Sequence, residues 1–138
     1  MIYVGIDFHK KYSIASSIDE DGRIVKECRI EGNTRDGFER YFESLGCSCR
    51  VVIEACWNWG YLYDLLEGIG GIEEVVLAHP YKVRIMGEAQ VKTDRIDARK
   101  LAQLLRVGFI PRAHIPGKGV RQKKDVLRQR QYWVRMRM

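Results

Sequence analysis

Four acidic residues stand at positions where carboxylates do chemistry. Asp7 closes the apolar run Ile2-Tyr3-Val4-Gly5-Ile6, and Glu54 closes Val51-Val52-Ile53. Asp94 and Asp97 follow Thr93 and lie three apart, a spacing that puts both on one face of a helix. Two ionised carboxylates about 4 Å apart repel by ~4 kcal/mol at an effective dielectric of ~20, so four together require protons or a cation. Oxygen-only ligands suit Mg²⁺ or Mn²⁺ rather than zinc. Two such ions roughly 3.5–4 Å apart clamp the attacking and leaving oxygens of a phosphodiester. The chemistry outlined is metal-dependent phosphoryl transfer on nucleic acid.

Each acid also has a purely structural reading. Asp94 and Asp97 complement the dipole of the helix they open. Asp7 accepts hydrogen bonds in the turn that follows it. Glu54 resists this reading most, because a carboxylate directly after three β-branched apolar residues is expected to be paired or functional. Spacing alone leaves both readings open. Asp19, Glu20 and Asp21 read as a solvated turn.

Positioning these acids falls to short elements. Residues 2–7, 12–18 and 23–30 are β-rich and joined by brief turns at 9–11 and 19–22, which predicts an antiparallel three-stranded meander. Asn33 or Thr34 caps a helix through about residue 44, with Phe38, Tyr41, Phe42 and Leu45 on one stripe. A fourth strand spans 50–55. Asn58 caps a second helix, in which Leu62, Leu65, Leu66 and Ile69 recur before Gly68, Gly70 and Gly71. Residues 74–78 form a fifth strand, ended by His79-Pro80, and residues 81–92 read as a short helix and a loop. Thr93 caps a helix over 94–107 with Ile96, Leu101, Leu104 and Leu105 as its apolar positions, stopped by Gly108 and Pro111. The order βββαβαβα means a mixed α/β fold with antiparallel and parallel pairs in one sheet. Strands 1 and 4, if adjacent and parallel, bring Asp7 and Glu54 to the sheet edge where open α/β sheets bind ligands.

After Pro116-Gly117-Lys118-Gly119 comes a basic helical stretch. Val120, Leu127 and Val134 fall seven apart, as do Val126 and Trp133, but the alternate seam positions are Lys or Arg, so the heptad pattern is half complete. The stretch reaches Met138 without a stop signal, which suggests a truncated chain. Residues 1–112 are expected to be the metal-binding catalytic domain, and residues 113–138 a basic linker with the start of a coiled-coil-like segment.

Of the 138 residues, 46% are hydrophobic and 30% charged, which excludes disordered and collagen-like chains. No apolar run approaches the roughly 18 residues of a membrane span. The N-terminus lacks a basic leader and a cleavage site, pointing to the cytoplasm. Cys28, Cys47, Cys49 and Cys56 then read as thiols, and Cys47-Ser48-Cys49 has neither spacing nor partner for zinc. The net charge of +6 divides unevenly: residues 112–138 hold nine Lys and Arg against Asp125 alone, while the rest balances at −2. A near-neutral body with a basic tail suggests a polyanionic partner, nucleic acid first.

Three stretches carry a family resemblance: Gly5-Ile6-Asp7-Phe8-His9-Lys10, Ile53-Glu54-Ala55-Cys56-Trp57-Asn58-Trp59-Gly60, and Val91-Lys92-Thr93-Asp94-Arg95-Ile96-Asp97-Ala98-Arg99-Lys100-Leu101-Ala102. Together they resemble, in order, the motifs of the DEDD transposases of bacterial and archaeal insertion sequences, whose N-terminal domain is similar to the Holliday-junction resolvase RuvC. The resemblance spans nearly the whole chain and implies a ribonuclease-H-like fold, a mixed five-stranded sheet with, here, a C-terminal basic helix. It puts the family's four metal-binding, catalytic carboxylates on Asp7, Glu54, Asp94 and Asp97, with Mg²⁺ (Mn²⁺ as substitute), two ions, as cofactor. DNA is the implied substrate, a structured noncoding guide RNA the implied partner, and a homo-oligomer the implied assembly, to which the family's linking coiled coil contributes. Cys56 replaces the usual Thr or Ser, and His79 stands where Asn is common. The family's attacking serine lies in a C-terminal domain, and none of Ser13, Ser16, Ser17, Ser44 or Ser48 matches its motif, so this fragment is not expected to transpose DNA alone.

Around the acids, Lys10, Lys92, Arg95 and Arg99 are candidates to hold phosphate oxygens, as are Arg121, Lys123, Lys124, Arg128 and Arg130 in the tail. Solubility and helix pairing are the simpler roles for such cations. Trp57, Trp59 and Tyr61 are candidates to stack on bases, and equally to pack in a core. His9 tunes a bound water or is merely exposed. The rival functions are a stand-alone junction-resolvase-like nuclease and a non-catalytic nucleic-acid-binding module. An actin-like ATPase needs a second lobe for which 138 residues leave no room.

Overall fold

The computed structural model describes residues 1–86 and 94–137. Three antiparallel strands open the chain: β1 (Ile2–Phe8), β2 (Tyr12–Ile18) and β3 (Ile24–Glu31). Helix α1 (Arg35–Leu45), β4 (Cys49–Glu54), α2 (Trp59–Glu67), β5 (Ile72–Ala78), α3 (Pro80–Met86), α4 (Asp94–Arg106) and α5 (Lys118–Met136) follow. The sheet order is β3-β2-β1-β4-β5, with β1–β4 and β4–β5 parallel and the other two pairings antiparallel. This is the mixed five-stranded sheet of a ribonuclease-H-like fold. Among the described residues no helix is long and apolar enough to cross a membrane, and all four cysteines are free thiols.

Alternation along the central strands builds two cores. Val4, Ile6, Val51, Ile53, Val75 and Leu77 face one side, where Phe38, Tyr41 and Phe42 of α1 and Leu62 and Leu66 of α2 cover them. Val52, Val76 and Ala78 face the other, under Val83 of α3 and Leu101 and Leu105 of α4. Of the expected stripes, Phe38, Tyr41 and Phe42 on α1 and Leu101 and Leu105 on α4 are buried, Leu45 and Leu104 are half-buried, and Ala98 and Ala102 join the buried face of α4, while the side chain of Ile96 lies outside the described residues.

Capping departs from expectation at one helix. Thr34 caps α1, its side-chain oxygen accepting from the Gly37 amide at 3.2 Å. Asn58 precedes α2 but does not cap it through its side chain. Its φ of 58° puts it in the left-handed region rather than the extended conformation from which a side chain reaches the first-turn amides. Asn58 turns the chain instead. The proposed cap at Thr93 and the loop through residue 92 lie outside the described residues.

The segment after α4 does not simply link. Arg112 bridges Ala78 antiparallel, the Ala113 amide donates to the Leu77 carbonyl at 2.7 Å, and the His79 amide donates to the Pro111 carbonyl at 2.8 Å. Glu74 on β5 fastens the same segment, accepting from Arg112 at 2.6 Å and from Arg50 at 2.8 Å. These two guanidiniums hold the Glu74 carboxyl below its usual pKa.

Burial has a consequence at alkaline pH. It pushes the Cys49 thiol up to about 11 from a usual 9.0, and raises the Tyr41 hydroxyl as well. Both groups stay protonated in the folded chain after they have ionised in the unfolded one, so the unfolded state binds fewer protons and stability falls as pH rises. The urea midpoint is expected to hold below pH about 9 and to drop between about 9 and 11, less steeply in Cys49→Ala. Identical slopes in the two proteins would contradict the thiol's contribution.

Candidate metal and nucleic-acid site

Asp7 is the penultimate residue of β1 and Glu54 the last of β4. The parallel register runs to Ile6 opposite Ile53, so the next step along both strands brings Asp7 beside Glu54. Strand side chains alternate between faces. Ile6 and Ile53 belong to the α1–α2 core, which puts Asp7 and Glu54 on the opposite face with Gly5 and Val52. That face is the one α4 covers. Both acids are half-buried.

Helix α4 runs antiparallel to β1, as its polar contacts show. At its C-terminal end Gln103 donates to the Gly22 carbonyl at 3.0 Å and Arg106 to that of Glu20 at 3.3 Å. Those residues belong to the β2–β3 turn, which flanks the beginning of β1 through the pairing of Tyr3 with Ile18. The end that carries Asp94 and Asp97 therefore points toward Asp7 and Glu54. Contact is close because residue 5 has no side chain: a Cβ on Gly5 would collide with the Ala98 carbonyl and sit 2.7 Å from the Ala102 nitrogen. Half-buried Asp97 immediately precedes that contact. The side chains of Asp94 and Arg95, and Lys92 altogether, lie outside the described residues.

Asp7 is held from the turn. Its Oδ2 lies 2.9 Å from His9 Nε2, within hydrogen-bond distance. The His9 ring stacks on Tyr12 at 4.6 Å, and the Arg29 guanidinium lies 3.8 Å from the Tyr12 centroid. His9 is thus partly exposed but held on both sides. Asn33, buried with φ of 48°, clips the turn in place. It donates to the His9 carbonyl at 2.6 Å, accepts from Ser13 at 2.6 Å, and its own carbonyl accepts from Tyr61 at 3.1 Å. Locally Asn33 reads as a helix cap, and nothing in its neighbourhood of the sequence marks the clip.

Two further groups line this edge. Burial raises the Cys56 thiol, and the nearby Glu54 and Asp7 carboxylates raise it further, so the edge is electronegative. His79 follows Ala78, the residue registered with Glu54, and its buried Nδ1 has no hydrogen-bond partner among the described residues. Among the described residues no three His, Cys, Asp or Glu side chains are grouped closely enough to hold an ion. Asp7 and Glu54 share a face and a sheet edge, Asp97 belongs to the helix that covers that face, and all three offer hard oxygen donors.

The candidate phosphate-binding cations part company. Lys10, Lys123, Lys124, Arg128 and Arg130 are exposed. Arg99 forms a two-pronged ion pair with Glu27 of β3, with Nη2 at 2.8 Å from Oε2. Arg121, only 15% exposed, grips Asp64 of α2 at 2.9 and 3.3 Å and reaches the Pro116 carbonyl at 3.1 Å. Its guanidinium also lies 5.5 Å from the Trp59 ring and 5.6 Å from that of Tyr63. In this structure Arg121 fastens α5 to α2.

Asp7 and Glu54 thus stand at neighbouring strand ends, under the face that α4 covers. The IS110-type DEDD family, described as Transposase, matches residues 4–138. The chain belongs to this DEDD transposase family. It is also 30% identical over 110 residues to the transposase for insertion sequence element IS1533 of Leptospira borgpetersenii, covering 76% of this chain and 31% of that protein. The chain thus spans about a third of the length of that curated relative. Within the DEDD transposase frame, the matched region includes both the carboxylate edge and the whole of α5.

Proposed function

We propose that residues 1–112 form the metal-binding catalytic domain of an insertion-sequence transposase, acting on DNA, and that residues 113–138 begin its linking helix. The observation that carries this reading is the adjacency of Asp7 and Glu54 at two parallel strand ends, on the face toward which α4 directs Asp97. An all-carboxylate donor set fits Mg²⁺ or Mn²⁺, and the buried Nδ1 of His79, without a partner among the described residues, leaves a polar atom beside this edge. Bound Mg²⁺, in two sites, would supply Lewis-acid stabilisation of phosphodiester oxygens. Asp7, Glu54, Asp94 and Asp97 are the residues to hold it. His9 fixes the Asp7 carboxylate from outside the site, and the close approach of α4 at Gly5 sets where Asp97 stands.

The attacking serine, in this reading, comes from sequence outside residues 1–138. The linking helix would serve assembly of several subunits, and the exposed tail cations a guide RNA or DNA backbone. Mn²⁺ titration by calorimetry, with anomalous diffraction at the manganese edge, tests the metal site. One or two ions at Asp7 and Glu54, lost in Glu54→Gln, are expected. Equal Mn²⁺ binding by Glu54→Gln would refute the assignment, leaving a nucleic-acid-binding module. Metal-dependent cleavage of branched DNA by the 138-residue chain alone would instead favour the resolvase-like nuclease.

A further inference from the structure

The three aromatic residues that follow Glu54 have separate fates. Trp59 meets Tyr63 edge to face with ring centroids 6.1 Å apart, beneath Arg121. Tyr61 spends its hydroxyl on the Asn33 carbonyl. Trp57 is 69% exposed. A tryptophan left this open gives up a large burial gain and leaves its indole face available to a ligand.

Trp57 borders a cleft of about 670 Å³ between the loop after Glu54, with the start of α2, and the segment leading into α5. Because Arg121 and Asp64 neutralise each other across its floor, the remaining charges of the lining are Lys118, Lys124 and Arg128 against Asp125. On α5, positions 118, 121, 122, 125 and 128 recur on one helical face, so the pin and the cations look into the same cleft. The cleft begins at Ala55, one residue from Glu54.

We propose that this cleft receives a single-stranded stretch of the DNA substrate as it leaves the carboxylate edge, with one unpaired base stacked on Trp57 and its phosphates on Lys118 and Lys124. The inference rests on the transposase reading for its choice of DNA. An open indole face engages a base only when that base is released from its neighbours, whereas a duplex keeps its bases stacked on one another. Lysines beside such a face supply the sequence-independent phosphate attraction that backbone tracking requires. The cleft therefore selects for strand separation rather than for sequence.

The test uses the 138-residue chain in EDTA, with a fluorescein-labelled mixed-sequence single strand, its duplex and the RNA strand of the same sequence. Trp57→Ala is expected to weaken single-strand binding about tenfold, Trp57→Phe to recover most of it, and both to leave the duplex unchanged. Lys118→Ala with Lys124→Ala is expected to flatten the salt dependence. Circular dichroism checks that each variant is folded. Unchanged single-strand affinity in Trp57→Ala, an equal loss for the duplex, or tighter binding of RNA than DNA would each overturn the proposal. Metal-free conditions separate it from the metal assignment: Glu54→Gln is expected to lose Mn²⁺ without weakening single-strand binding.

Discussion

Replacing Gly5 by alanine is expected to destabilise the chain by ~2–3 kcal/mol, the upper end of ordinary overpacking. The added methyl would meet backbone atoms of α4, the Ala98 carbonyl and the Ala102 nitrogen, and backbone cannot rotate aside as a side chain can. Relief requires α4 to withdraw from β1, which moves Asp97 away from the Asp7–Glu54 edge. Gly5→Ala is therefore expected to lower Mn²⁺ affinity as well as the urea midpoint, although residue 5 bears no ligand. Gly70→Ala provides the control, since nothing lies within 4 Å of a Cβ there. A Gly5→Ala chain with unchanged stability would mean that the helix–strand contact is looser than described.

The second large effect concerns the metal-free state. Asp7 and Glu54 stand side by side in an electronegative edge that already raises the Cys56 thiol, and Asp97 adds charge to the same end. Like charges gathered for a cation oppose folding until the cation arrives. Asp97→Asn is thus expected to leave the metal-free chain at least as stable as the wild type. Wild type should gain about 2.7 kcal/mol at a Mn²⁺ concentration a hundredfold above its Kd, and the variant should lose most of that gain. Urea unfolding with and without Mn²⁺ measures both quantities. A variant less stable without metal, yet equally stabilised by it, would make Asp97 a dipole partner of α4 rather than a ligand.

Much of the sheet and its edge was legible because the signals are local. Apolar runs ending on acids marked β1 and β4, and the short turns between residues 8 and 24 could only close an antiparallel meander. The parts that were not legible depend on residues far apart in sequence. Arg121 reads as one cation in a basic run, and only its meeting with Asp64, 57 residues away, makes it a pin. Asn33 and Asn58 both look like caps because asparagine favours caps and left-handed turns alike, and local sequence does not separate the two. Residues 111–113 carry the proline and polar character of a connector, yet their backbone finds partners on β5. Trp57, Trp59 and Tyr61 are equivalent in sequence, and only their tertiary contacts, with Tyr63 for Trp59 and with Asn33 for Tyr61, tell them apart.

The fastening of α5 only at its base gives the molecule leverage. Arg121 lies in the first turn and is half-buried, whereas every described residue from Gln122 onward is exposed. From Arg121 to Met136 the helix extends about 22 Å, so a tilt of roughly 5° about that anchor displaces Met136 by about 2 Å. The same geometry works in reverse: a small displacement imposed at the distal end becomes torque on α2, whose first residues follow Glu54 by five positions. A load on the distal part of α5 is thereby passed through Arg121 and Asp64 to the helix that follows the carboxylate loop.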